Sequence, residues 1–471
     1  MAKHGVFVDE RNTSVSSPVE VETAIPFVDA LSPIQNAENP ATVGVPALIT
    51  SFSEFVEAFG WSDDWETYPL CEFAFSHFKL YGRQPAIFLN LLDVSTMKTA
   101  VAAADKDVEA KKVTLTVTAI DNDSLVVKAQ GGNGEAYVKD TDYSVYYDAN
   151  GKLVVELLPD STHYSESKLN IAYDVVTPSS VNAAAVASGI DKVDLCMTVL
   201  GLIPDLLVAP GFSQHPVVAA AMATKAETIN GMFRGKALID IDASTVTTYT
   251  AAVAAKSSNN FTDKNEIPCW PMLKLGDYKF HMSSQIAGLM AEVDDEYGAP
   301  YASPSNHSLK CDSIILADGS EVVMSLEHAN ILNANGIMTA LNFMGGFVAW
   351  GNYTACYPTN TDVKDSFIPV SRMFDWVANT LIQTFWARLD TPMTRRMVDS
   401  IVDSANIWLN GLTGAGYILG GRVEMLESEN PTTNLMQGIV KFHVYITPPS
   451  PAQEIDFTLE YDATYLEEAF A

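Results

Sequence analysis

The sequence predicts an α/β multidomain chain that is interrupted by an all-β module and closed by a small α+β region. Three observations carry this reading. Apolar runs of strand length alternate with helix-period segments on both sides of the middle of the chain. Between about Asp105 and Val176 the helical period gives way to β-rich segments, KVTLTVTAI, SLVVKAQ, DYSVYYD, KLVVELL and KLNIAYDVV, separated by turn signals such as GGNG and DANG. After about Asp365 two long helical stripes precede two strand-like runs. A length of 471 residues suffices for two or three hydrophobic cores.

Taken in order, residues 1–24 show no helical period and little to bury, and are expected to form an extended arm. TVGVPALIT reads as a strand from Thr42. SFSEFVEAFG reads as a helix with Ser53 placed to cap it, Phe55, Val56 and Phe59 on one face, and Gly60 to stop it. TYPLCEFAFSHFKLYG is a second helix ending at Gly82, with Leu70, Phe73, Phe78 and Tyr81 as its stripe. AIFLNLLD is a buried strand by its unbroken apolar run. The β module follows, and because the α/β pattern resumes after it, it is expected to be an insertion at an exposed loop. A helix near Asp191 to Leu202, the strand DLLVAP, a helix from His215 to about Phe233 and the strand KALIDID come next. Strand, helix, strand in that order implies parallel strands joined by a crossover helix.

DWVANTLIQTFWARL and MTRRMVDSIVDSANIWLNGL are two helices divided by the break DTP, and GRVEMLES and GIVKFHVYITP read as hairpin-like strands. The chain closes on QEIDFTLEYDATYLEEAFA, in which IDFTLEYD alternates apolar and polar residues. A terminal strand needs a sheet edge to receive it. Pro448, Pro449 and Pro451 keep the preceding segment extended and discourage a tight hairpin, so the receiving edge is expected in another subunit. The expected divisions are therefore an arm at 1–24, an α/β unit at 25–104 and 181–364, a β-rich insertion at 105–180, an α+β unit at 365–452 and a second arm at 453–471.

Twenty-eight basic against 58 acidic residues give a formal net charge of -30, which argues against sequence-independent binding to nucleic acid or anionic lipid. No apolar run is long enough to span a bilayer, and MAKHGVFVDERNTS lacks the apolar middle of a secretory signal, so synthesis and folding in a cytoplasm are expected. The five cysteines, Cys71, Cys196, Cys269, Cys311 and Cys356, are far apart and read as buried thiols. The eight histidines have no metal-ligand spacing; His77, His281 and His443 sit among apolar or aromatic residues and read as satisfied core or interface residues.

Chemistry-bearing patterns are weak. GGNGEA lies between strands, and GLTGAGYILGG follows a helix, so neither opens a helix as a phosphate cradle must. PGFSQHP brings Ser213 near His215 but lacks the nucleophile-elbow glycine. AEVDDEYGAP, around Asp294, Asp295 and Glu296, reads as a solvated acidic loop and lacks the ligand spacing of a calcium loop. No catalytic residue, cofactor or metal is expected. Arg395 and Arg396 form one of the few paired basic spots, either a solvated helix end or a contact for an acidic partner.

Several segments together resemble the tail sheath proteins of contractile bacteriophages and related injection machines. They are GVFVDE with its following threonine-serine stretch; VGVPALITSFSEFVEAFG; PDLLVAPGFSQHPVVAAAMATKAETINGMFRGKALIDID; ANILNANGIMTALNFMGGFVAWGNYTA, with Leu332, Asn333, Gly336, Ile337 and Trp350-Gly351; and the helix VSRMFDWVANTLIQTF with the late helix ending in GLTGAGYILGG. The order of these pieces carries the resemblance. Asn352 and Tyr353 stand where the family often has Arg-Thr, and Ser371-Arg372 stands where it has a double arginine.

The resemblance implies an α+β inner domain carrying both termini, an α/β outer domain and an inserted all-β domain, with a structural and not a catalytic role. It implies arms that add strands to neighbouring subunits, Val6, Phe7 and Val8 at the N-terminus and Ile455, Phe457 and Leu459 at the C-terminus, and an inward-facing late helix with Arg395 and Arg396 as candidate tube contacts. The implied partners are further copies of the chain in a helical array, an inner tail tube protein, and baseplate and tail terminator proteins. The expected location is a virion tail or tail-like particle. The alternative is a self-assembling bacterial surface or capsid-like protein whose β insertion binds a receptor.

Overall fold

The structure, a computed structural model, describes residues 20–117, 119–148 and 152–466. Val6, Phe7 and Val8 lie outside the described residues. Six strands, Glu266–Cys269, Lys236–Asp240, Leu206–Val208, Pro26–Ala30, Ala86–Asn90 and Ala47–Ile49, lie side by side in that order. All pair in parallel except Ala47–Ile49, which runs antiparallel along one edge. Helices Ala183–Gly189, Pro216–Glu227 and Met282–Tyr297 pack against these strands. A parallel sheet covered on its faces needs strands that are largely apolar, and PFVDA, AIFLN and KALID are buried at every position, with Asp29, Asn90, Lys236 and Asp240 as their polar members. The crossover from Leu206–Val208 to Lys236–Asp240 runs through the Pro216–Glu227 helix, which starts with proline at its first turn.

Local reading and structure differ in places. The Phe52–Phe59 helix is capped by Ser51, not Ser53: Ser51 is extended and its hydroxyl accepts from Glu54 N, while the Glu54 carboxylate reaches back to Thr50. Glutamate three residues after the serine is the capping-box spacing, and it selects Ser51. The TVGVPALIT run yields only a short edge strand, Ala47–Ile49. The stretch near Asp191 is not one helix but two short helices, Ala183–Gly189 and Cys196–Leu200, on either side of the tighter turns Ile190–Leu195.

Two antiparallel three-stranded sheets follow the Ala86–Asn90 strand. One has the order Lys98–Asp107, Lys168–Val176, Ile120–Ala129, and the other Lys112–Thr114, Leu153–Leu157, Tyr143–Tyr147. They enclose their own cluster, with Val113, Leu115, Ile120, Val127, Val155 and Ile171 at its centre. Lys98–Asp107 crosses the expected boundary at 104/105 and pairs with Lys168–Val176 from end to end. Lys98 lies opposite Val176, so the chain enters and leaves this unit side by side.

A third cluster joins the Ile368–Phe385 and Arg395–Ala415 helices to the antiparallel pair Gly420–Glu424 and His443–Thr447. Its centre is Met373, Trp376, Val377, Ala405, Trp408, Leu409 and Leu412, whose helical spacing puts them on facing stripes, and Val21 from the start of the described chain completes it.

Candidate assembly surface

An antiparallel pair of strands buries one face and leaves two edges. In the Gly420–Glu424/His443–Thr447 pair Val423 is buried, and Val444 and Ile446 pack on the helices. Among the described residues no third strand joins either edge. Two strands alone are marginal in water, and each free edge presents backbone N–H and C=O groups that another strand can pair with.

Beyond this pair Pro448 is buried, Pro449 and Pro451 are half-buried, and every described residue from Ala452 onward is exposed. The chain has no regular structure from Pro451 to Asp462. Ile455, Phe457, Leu459 and Tyr461 are 70%, 86%, 96% and 79% exposed. Spacing by two puts them on one face of an extended segment, an apolar face with nothing of its own chain to cover it among the described residues. The root of this segment, Pro451–Glu454, borders a cleft of about 660 Å³ lined by Tyr297, Asn306, Asn330, Trp350 and Asn352.

Arg395 and Arg396 open the Arg395–Ala415 helix, whose first turn is capped by the Thr394 hydroxyl accepting from Met397 N at 3.2 Å. Both are exposed, and Arg395 lies 3.7 Å from Asp399 one turn on. An exposed pair of this kind contributes about 0.3–0.5 kcal/mol. Cations at a helix N-terminus also oppose the macrodipole, so helix stability does not account for their position. At 1.5 Å per residue they lie roughly 16 Å along the helix from Asn406. The Asn406 side chain holds Val423 of the strand pair through two hydrogen bonds. The arginines thus lie turns of helix away from the point where the Arg395–Ala415 helix holds the strand pair.

The Ile368–Phe385 helix carries a polar face through its otherwise apolar sequence. Arg372, Asp375 and Asn379, three and four residues apart, each bind the sheet-bearing part of the chain. Arg372 meets Asp294 with both terminal nitrogens, at 2.9 and 2.6 Å, and Asp205 at 3.3 Å. Asp375 pairs with the buried Lys236 at 2.7 Å, and the Asn379 amide bonds the Arg234 backbone in both directions. Burial works against the Arg372 charge, but the two carboxylates outweigh it and hold its pKa above the usual value. Burial raises the Asp205 pKa, and Arg372 opposes that rise. Asp294, expected in a solvated loop, is instead buried in the last turn of the Met282–Tyr297 helix, because Arg372 supplies the counter-charge that lets it leave water. Sequence reasoning missed this network; the one available signal was the run of polar residues on one face of the helix.

A cleft of about 550 Å³ opens beyond the ends of the parallel strands and is lined by Glu72, Asp240, Asp242, Asp277, Lys279 and His281 among others. Its buried carboxylates are engaged internally. Asp240 accepts from the Ser213 and Ser283 hydroxyls and from Ser283 N, while His215 is exposed, so Ser213 has an aspartate and not a histidine for a partner. Glu72 accepts from Ser284 and from His281 N, and lies 2.8 Å from His281 Nδ1. Burial would lower the His281 pKa, but the Glu72 charge raises it to about 9. His77 differs from expectation: it is buried against Phe73 and Phe78 with neither ring nitrogen in a well-formed hydrogen bond, and burial pulls its pKa down to about 4. His443 lies 2.9 Å from Glu429.

No family model matches the chain. It is 25% identical over 410 residues to the tail sheath protein of Burkholderia phage BcepMu, a match that spans 82% of this chain and 83% of that protein. In fold it is similar to the sheath of the extracellular contractile injection system PVC in its contracted state, with TM-score 0.61, 15% identity and 99% of each chain covered. It is also similar to the contracted helical sheath of the anti-feeding prophage, with TM-score 0.58, 17% identity and 98% and 100% of the two chains covered. Sequence relatives and fold point the same way, to the tail sheath proteins of contractile phages and injection systems, which this chain resembles.

Proposed function

We propose that the chain is the structural subunit of a contractile sheath, polymerising helically around an inner tube and contracting to drive that tube through a target cell envelope. The observation that carries the reading is the open two-stranded sheet beside an exposed, strand-patterned tail in the same chain. Ile455, Phe457 and Leu459 enter the sheet of a neighbouring copy, and Val6, Phe7 and Val8 are assigned the corresponding role at the other end. Each copy then both donates and receives a strand. Because all copies are joined, a difference of a few kcal/mol per subunit between the extended and contracted arrays sums along the sheath, and no bound nucleotide is needed to drive the change.

In this reading the 365–452 region is the inner domain, the sheet-bearing region the outer domain, and the β unit an outward insertion. Arg395 and Arg396 face the tube, where their unfavourable place on the helix dipole is offset by an acidic partner. Baseplate and tail terminator proteins bind the ends of the array. The surface-protein alternative is not favoured by the relatives. Negative-stain electron microscopy of the full-length protein beside a chain ending at Pro451 tests the proposal. Long hollow tubes from the first and none from the second are expected. Discrete small particles from both, with a cognate tube protein added, would overturn it.

A further inference from the structure

We propose that Trp376 and Trp408 form a clamp fixing the point at which the N-terminal arm leaves the folded body, so that tension on the arm is borne by the inner core before it reaches the central sheet. The inference rests on the reading of the N-terminal segment as an exchanged arm; of the residues 1–24 expected in it, 20–24 are instead held against the chain's own cores, with Val21 and Ala24 buried. Residues 20–25 are held at two places in series. At the first, the Trp376 indole N–H donates to the Val21 carbonyl at 2.8 Å, the Trp408 indole N–H donates to the Glu20 carboxylate at 3.2 Å, and the Val21 side chain is buried between the helices. The two indole rings lie 5.6 Å apart. Tryptophan suits this place because its ring can stay in an apolar core while its single N–H takes a main-chain or carboxylate oxygen.

At the second place Ile25 N donates to Asp205 at 2.7 Å, and Asp205 is itself held by Arg372. Between the two, Ala24 adopts φ 52°, a left-handed conformation that a non-glycine residue keeps only where its surroundings fix it. The strap there borders a cleft of about 510 Å³ lined by Gly82, Arg83, Pro85 and Asp295. Immediately after the bend the chain becomes Pro26–Ala30, which is paired on both sides within the sheet. Pulling on residues before Glu20 therefore loads the indole contacts first, Asp205 second and the sheet last. Without the first contact, an arm exchanged with a neighbour would be restrained only by Asp205 before it pulled on the strand in the middle of the sheet.

The test uses the full-length protein with Trp376→Phe and Trp408→Phe together, which keeps aromatic packing and removes both N–H donors. A second variant, Glu20→Ala, removes one acceptor from the strap without touching the core. Hydrogen exchange over residues 20–25, thermal unfolding and tube formation are measured side by side. Exchange at 20–25 is expected to rise about tenfold in the double variant and less in Glu20→Ala, with protection of residues 26–30 retained and tubes shortened or lost. Exchange and tubes equal to the unaltered protein in both variants would overturn the clamp. A chain lacking residues 1–19 separates the two readings. If it still forms tubes, the arm reading falls. If it forms none while the tryptophan variant behaves as the unaltered protein, only the clamp falls.

Discussion

The strands Pro26–Ala30 and His443–Thr447 are each five residues long, yet they end in opposite situations. Pro26–Ala30 is buried at every position and paired with a strand on either side. His443–Thr447 is half-buried, paired on one side only among the described residues, and followed by a tail whose apolar side chains stand in water. In the first region every backbone and apolar demand is met inside the chain, so its contacts serve stability. In the second the demands are left open among the described residues, and the proposed function assigns them to assembly. The difference teaches that self-sufficient and needy parts can be kept apart in one chain, here joined through the polar face of the Ile368–Phe385 helix.

The largest expected break in this comparison is at the junction. Replacing Arg372 by Leu leaves Asp294 and Asp205 buried without a counter-charge, and thermal or denaturant unfolding should show a loss of about 3–5 kcal/mol. Restoring stability by also changing Asp294 to Asn would tie the loss to that carboxylate.

A smaller effect of opposite sign is expected at Asp29 in the central strand. Its carboxyl is fully buried with no hydrogen-bond partner among the described residues, and burial raises its pKa well above the ordinary value. The folded state therefore keeps the proton. Its contribution is fully present below the unfolded carboxyl value and is lost as pH rises toward the folded one. Asp29→Asn keeps the shape and removes the titration, so it should gain stability at pH 8 and little at pH 4. Unfolding curves at the two pH values check this, and an equal effect at both would contradict it.

The smallest stability effect is expected in the tail. Phe457→Ser together with Leu459→Ser changes side chains that touch little of their own chain, so unfolding should shift by no more than about 0.5 kcal/mol. Tube formation, read by electron microscopy, should nevertheless fail. The Asp29 and tail variants would then sharpen the contrast, one moving stability alone and the other assembly alone.

Much of the architecture was legible from period and punctuation. The long apolar stripes of the Ile368–Phe385 and Arg395–Ala415 helices, the apolar runs of Ala86–Asn90 and Leu153–Leu157 and the alternation of Lys168–Val176 each record what they bury. Lys98–Asp107 escaped because KTAVAAADKD is largely exposed along an edge, and a strand with no buried face writes no alternation. The Ser51 cap turned on hydrogen bonds to a glutamate three residues on, which a serine-by-serine reading does not weigh.

By itself, then, the sequence determined the elements, the β-rich interruption, and a terminal segment that alternates like a strand with nothing nearby to pair with. Each is local, written in residues a few positions apart, and follows from side-chain period and backbone chemistry. Only the tertiary structure decided that Arg372 would neutralise Asp294, that Asp294 would sit in a helix, and that Trp376 would hold Val21. Those partners are 78 and 355 positions apart in the chain. A charge or an indole N–H carries no mark of a partner so distant, and only packing the cores against one another brings the two into contact.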